Sequence, residues 1–124
     1  MPRILVADDD PVQLDLRKML LEAAGHEVSL ARTTEEAVRC VREHGADLVI
    51  MDLRFPNSRG NPDSREGLSL IRDIHESGRQ TPMIVLSGWP QDLDGAPEEA
   101  LVACVLLKPV KPSALMQAIS ELLP

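Results

Sequence analysis

Five short apolar runs, at residues 4–7, 28–31, 48–51, 83–86 and 104–107, punctuate the chain, with longer amphipathic stretches between most of them. Runs that are continuously apolar describe strands buried on both faces, as a parallel sheet covered by helices on each side requires. The pattern therefore predicts a doubly wound five-stranded parallel sheet, and in the strand order 2-1-3-4-5 its ligands would lie beyond the carboxyl ends of the strands. At 124 residues, 44% of them hydrophobic, the chain has the size of one domain with one buried core, residues 1–124.

The helix signals agree. Asp10 before Pro11 is an N-cap followed by proline at the first helical position, and Val12, Leu16, Met19, Leu20 and Ala23 are read as one apolar face, with Gly25 as the stop. Thr33, Thr34, Glu35 and Glu36 form a capping box before a second helix that buries Ala37 and Val41. A third helix carries Leu68, Ile71 and Ile74 and ends before Gly78; a last one starts near Pro112 and carries Leu115, Ile119 and Leu122. Between Ser87 and Cys104, Pro90, Gly95 and Pro97 leave room for one short or irregular turn.

A net charge of -7 gives no electrostatic reason to bind nucleic acid or anionic lipid; a cation or a basic partner suits the chain better. No apolar run approaches the ~20 residues of a membrane span, so a cytoplasmic protein is expected. Cys40 and Cys104 are read as buried small hydrophobes rather than a disulfide, and His26, His44 and His75 as solvated residues without a shared site.

The polar residues that end the apolar runs carry the functional signal. Asp8 and Asp9 follow the first run, Asp52 the third, Ser87 the fourth and Lys108 the fifth, so one edge of the sheet collects all of them. Taken singly, an Asp at a strand end is a turn or cap residue, Ser87 before Gly88 a turn pair, and Lys108 a loop cation. Their convergence on one edge argues for a site.

With VADDD, LVIMDLRFP, IVLSG and LLKP in these places, the chain resembles the receiver domain of two-component response regulators over essentially its whole length. The resemblance implies a flavodoxin-like three-layer sandwich. It also implies a phosphoacceptor at Asp52, a magnesium-binding acidic pair at Asp8 and Asp9, a hydroxyl switch residue at Ser87, an essential lysine at Lys108, and a cis Lys108-Pro109 bond. The partner it implies is a sensor histidine kinase or histidine phosphotransfer protein. Such a receiver is a signalling switch rather than an enzyme with a separate substrate, and any DNA-binding or catalytic output would lie outside these residues.

The chemistry of the residues is consistent with this. A carboxylate is a poor nucleophile toward an anionic phosphoryl group, and neighbouring carboxylates make the approach worse. Magnesium reverses that sign and takes oxygen ligands, which Asp8 or Asp9, Asp52 and the backbone carbonyl of Arg54 would supply. Lys108 would offset charge on a second phosphoryl oxygen and the Ser87 hydroxyl would donate to a third. Asp10, the third member of DDD, is explained as the helix cap.

Several positions depart from the family pattern. Val105 stands where the family usually carries Tyr or Phe, and the chain has no tyrosine, so an aromatic switch cannot operate. Ten residues, NSRGNPDSRE at 57–66, intervene where about three are usual; they are read as a lid, a partner loop or a tolerated surface insertion. Phe55 and Trp89 are expected to overhang the site, and Arg54 and Trp89 occupy positions that in the family govern access of water to the phosphoryl group. The missing aromatic and the insertion favour an alternative, a degenerate receiver used as a docking module without phosphorylation. A phosphohydrolase or a flavin binder on the same fold fits less well. The acidic turn would repel a flavin phosphate, and the sequence offers no second acid–base residue or substrate pocket for hydrolysis.

Overall fold

The computed structural model describes residues 2–77 and 80–123. Its main sheet is built from β1 (Arg3–Ala7), β2 (Glu27–Ala31), β3 (Leu48–Asp52), β6 (Met83–Ser87) and β7 (Cys104–Leu107). The order is β2-β1-β3-β6-β7, with every neighbouring pair parallel, so the doubly wound sheet in the order 2-1-3-4-5 is found. Side chains alternate between two cores because successive strand residues point to opposite faces. Leu5, Ala7, Val49, Met51 and Val85 meet α2 (Thr34–His44) and α3 (Ser64–Glu76) on one side. Ile4, Val6, Ile50, Ile84 and Leu86 meet α1 (Pro11–Ala23) and α4 (Pro112–Leu122) on the other. The result is a three-layer sandwich.

Caps set the helix starts. Asp10 accepts the Val12 amide at 2.9 Å, and Pro11 opens α1. Thr33 accepts the Glu36 amide at 3.1 Å, while the Glu36 carboxylate reaches back to the Arg32 amide at 3.0 Å. This is the capping box shifted by one residue on its return bond.

The apolar face read for α1 is corrected. Val12, Leu16 and Met19 are 62%, 56% and 68% exposed, and Ala23 is exposed too; the buried residues are Leu14 and Leu21. Leu20 is only partly buried. A helix apolar on two faces offers two stripes at helical spacing, and periodicity alone selects neither. Between β6 and β7 there are two short 3-10 turns, Pro90–Asp92 and Pro97–Leu101, where one was expected. Without a regular helix over this stretch, Val105 and Leu107 on the edge strand stay 39% and 59% exposed.

Of residues 57–66, 57–63 form an ordered connection and 64–66 are the first residues of α3. Phe55–Pro56 (β4) pairs antiparallel with Pro62–Asp63 (β5), and Asn57 Oδ1 accepts the amides of Arg59 and Asn61 at 2.9 and 3.1 Å. Asp63 then caps α3, whose first turn begins at Ser64. Phe55 does not overhang the site: it is 1% exposed and packs in the core beside Leu53 and Met51. Cys40 and Cys104 are free and partly buried, each against a different core, so the sheet separates them. His26 is not simply solvated, since its Nδ1 is buried without a partner. Among the described residues no helix is long and apolar enough to cross a membrane.

Candidate functional site

The sheet reverses its winding between β1 and β3, and the acidic residues stand at that reversal. Asp8 continues the β1 ladder by donating its amide to Ala31 O at 3.0 Å, which holds its side chain under the surface at 1% residue exposure. Asp52 is the last residue of β3. Asp8, Asp9 and Asp52 each bring a carboxylate oxygen to within 4.8 Å of the others. Three hard oxygen donors at that spacing fit a divalent cation such as magnesium.

Two of the three carboxylates already have a cation. Lys108 Nζ donates to Asp52 Oδ2 at 2.8 Å, while Asp52 Oδ1 accepts the Leu53 amide at 2.7 Å and, more weakly, the Arg54 amide at 3.4 Å. Arg17 Nη1 donates to Asp8 Oδ2 at 2.7 Å, and Asp8 Oδ1 accepts the Asp10 amide at 3.0 Å. Asp9 has no such counter-ion among the described contacts. Although Asp9 is exposed as a residue, neighbouring atoms displace water from its carboxyl. That loss of solvation, followed by repulsion from Asp8, pushes its carboxyl above the ordinary range.

Ser87 is 2% exposed and its Oγ accepts the Trp89 amide at 3.0 Å, which leaves the hydroxyl proton available to another acceptor. Lys108 is placed beside it through the bond from its amide to Ser87 O at 2.9 Å, and the Lys108-Pro109 peptide that follows is cis. Trp89, 48% exposed, lies under the Arg54 guanidinium at 3.7 Å, and Arg54 Nε donates to Asp92 Oδ2 at 2.8 Å. The loops leaving β3 and β6 are thus tied together above the strand ends.

The residues singled out in the sequence, Asp8, Asp9, Asp52, Ser87, Lys108 and the Arg54 backbone, all stand at this edge; Phe55 does not. Sequence reasoning missed Arg17 and Asp92. Arg17 carried a signal: it lies three residues after Leu14 and four before Leu21, so a cation interrupts the buried stripe of α1. Asp92 carried none, because only the 3-10 turn brings it to Arg54.

The family model of the response regulator receiver domain matches residues 4–120. The chain belongs to the response regulator receiver domain family. It is 34% identical over 123 residues to the sensory/regulatory protein RpfC of Xanthomonas campestris pv. campestris, covering 97% of this chain and 16% of RpfC. This receiver therefore spans a small part of that relative's length. A response regulator receiver domain protein from Clostridium thermocellum is 31% identical, with a TM-score of 0.83 over 98% of this chain and 94% of that one. TrrA from Thermotoga maritima, solved in complex with Mg(2+)-BeF, is 25% identical, with a TM-score of 0.84 over 98% of this chain and 99% of its own.

Proposed function

We propose that this receiver takes a phosphoryl group on Asp52 from a phosphohistidine on a sensor histidine kinase or a histidine phosphotransfer protein, and passes the change on as a conformational switch. The observation that carries this reading is the Asp52 carboxylate, held between Lys108 and the Asp8–Asp9 pair at the winding reversal of the sheet. Asp52 Oδ1 is anchored by the Leu53 amide, so Oδ2 is the oxygen left to attack phosphorus. In that step the P–N bond of the donor breaks as the Oδ2–P bond forms, and the leaving imidazole keeps the electron pair. Lys108 Nζ, now donating to Oδ2, shifts its hydrogen bond to a phosphoryl oxygen and offsets that oxygen's charge, and the free proton of the Ser87 hydroxyl bonds to another.

Asp9 and Asp52, with Asp8 and the Arg54 carbonyl, would hold magnesium, which when bound neutralises the phosphoryl oxygens facing the carboxylates. The Mg(2+)-BeF complex of TrrA supports this assignment by similarity. With Val105 in place of an aromatic switch, the coupled loops of Arg54, Trp89 and Asp92 are the carrier of the change proposed here. The exposed stripe of Val12, Leu16 and Met19, on the helix that begins beside the acidic turn, supports docking of an amphipathic helical partner.

Intact mass after incubation with magnesium and acetyl phosphate tests the proposal. One phosphoryl adduct, labile to hydroxylamine and absent in Asp52→Asn, is the expected result. An unmodified wild type that still binds magnesium would instead mark a docking module that works without phosphorylation.

A further inference from the structure

Arg17 is the residue at this edge that the phosphoryl-transfer reading does not use. It belongs to the inward face of α1, between the buried Leu14 and Leu21, and its side chain is only 11% exposed. A guanidinium on the core side of a helix loses hydration, and it stays there only with a partner. The partner is Asp8, itself 2% exposed at the side chain, at 2.7 Å. Both oxygens of Asp8 are thereby engaged, one by Arg17 and one by the Asp10 amide. Of the three carboxylates that approach within 4.8 Å, two have a counter-ion: Asp52 has Lys108, which the phosphoryl-transfer reading uses, and Asp8 has Arg17, which it does not.

We infer that Arg17 is a built-in counter-ion that competes with magnesium for Asp8 and so sets the metal affinity of the site. This rests on the reading that the cluster holds magnesium. A cation fixed one carboxylate away from a divalent site weakens it by direct repulsion, and the low polarizability of the buried surroundings leaves that repulsion poorly screened. Arg17 also lines, with Asp10, Leu16, Leu20 and Lys108, the groove beside α1.

Titration of the full chain with magnesium chloride alone, by calorimetry, tests the assignment through a charge cycle. Arg17→Met should bind magnesium about tenfold more tightly than wild type, whereas Arg17→Lys, which keeps the charge, should stay near wild type. Asp8→Asn leaves the guanidinium uncompensated beside the site and should bind at least tenfold more weakly. The double variant Asp8→Asn, Arg17→Met restores the net charge and should return to within about threefold of wild type. Replacing both members of a buried ion pair is better tolerated than removing one, so the Asp8→Asn and double-variant arms decide the matter even if Arg17→Met fails to fold. A double variant no better than Asp8→Asn, or an Arg17→Met protein that binds no more tightly than wild type, overturns the inference while Asp52 still takes phosphate. Absence of magnesium binding in wild type, with no adduct on Asp52, overturns the underlying reading as well.

Discussion

Helices α1 and α3 have the same length, 13 residues, and lie on opposite faces of one sheet, yet they divide their apolar residues differently. In α3 the inward face holds Gly67, Leu70, Ile71 and Ile74, and Arg72, His75 and Glu76 face out. In α1 the inward face holds Leu14 and Leu21 with a charged Arg17 between them, and Val12, Leu16 and Met19 face out. One helix spends its apolar surface on the fold. The other places a charge inside, at the acidic site, and keeps an apolar stripe outside. Close packing marks the same contrast: a Cβ added at Gly67 would run into the Leu53 backbone, so α3 sits against the loop that leaves β3 without room to shift. The helix proposed to meet a partner is the one not fully committed to the core.

The largest expected effect separates the two helices by stability. Truncating Ile74, fully buried, to Ala should cost about 2–5 kcal/mol from lost burial and the cavity left behind. Truncating Met19 to Ala, 68% exposed, should change stability by no more than about 0.5 kcal/mol. Urea unfolding of both variants gives the comparison. A Met19→Ala protein as damaged as Ile74→Ala would mean that the outer stripe of α1 is covered, and the contrast would collapse.

How far this contrast could be read from residues alone depends on which face is asked about. The strands were legible throughout, because a run such as LVIM at 48–51 is apolar on both faces and fits only a covered parallel sheet. The grouping of the candidate site was legible for the same reason: Asp52 ends β3 and Lys108 directly follows β7, and parallel strands must place those ends on one edge. The inward face of α1 was not, since Val12, Leu16 and Met19 have the same spacing as a core stripe and nothing local tells solvent from sheet. Phe55 misled similarly. Its nearness to Asp52 in sequence suggested that it overhangs the site, but the β4–β5 hairpin turns it into the core and leaves Trp89 with Arg54 above the site. Asp92 depends on a 3-10 turn whose course Pro90 permits but does not specify.

A second, smaller effect sharpens the functional half of the comparison. Met19→Glu puts a charge on the outer stripe of α1, outside the groove that Arg17 and Lys108 line. Transfer from a histidine-phosphorylated protein donor should fall at least tenfold, about 1.4 kcal/mol, because the partner's apolar contacts are lost. Loading from acetyl phosphate, which needs no docking surface, should stay within about twofold of wild type. Equal loss with both donors, followed by radiolabel transfer, would place the damage in the site rather than on the docking face.

The smallest expected effect concerns how each helix is started. Asp10 caps α1 alone, whereas Asp63 caps α3 within a set of contacts: it accepts the Arg65 amide at 2.9 Å, pairs with the Arg65 guanidinium at 2.9 Å, and meets Asn57 Nδ2 at 3.3 Å. Those donors, the Arg65 side chain first, hold the Asp63 carboxyl well below its ordinary value of 3.8. A folded-state value depressed below the unfolded one means that the ionised cap stabilises the fold in full above the unfolded value, and that this contribution is lost as pH falls toward the folded one. The pair is screened by solvent, with the Arg65 side chain 85% exposed, so the effect is modest. Asp63→Asn keeps a capping oxygen and removes only the charge, which isolates the term. Its stability deficit against wild type, measured by urea unfolding, should be constant from neutral pH down to about pH 5 and shrink progressively as the pH drops below 3.8. Added salt should shrink it at neutral pH as well. A deficit that stays level down to strongly acidic pH would show that the Asp63 charge contributes nothing to holding the start of α3, leaving geometry alone to fix that end of the helix.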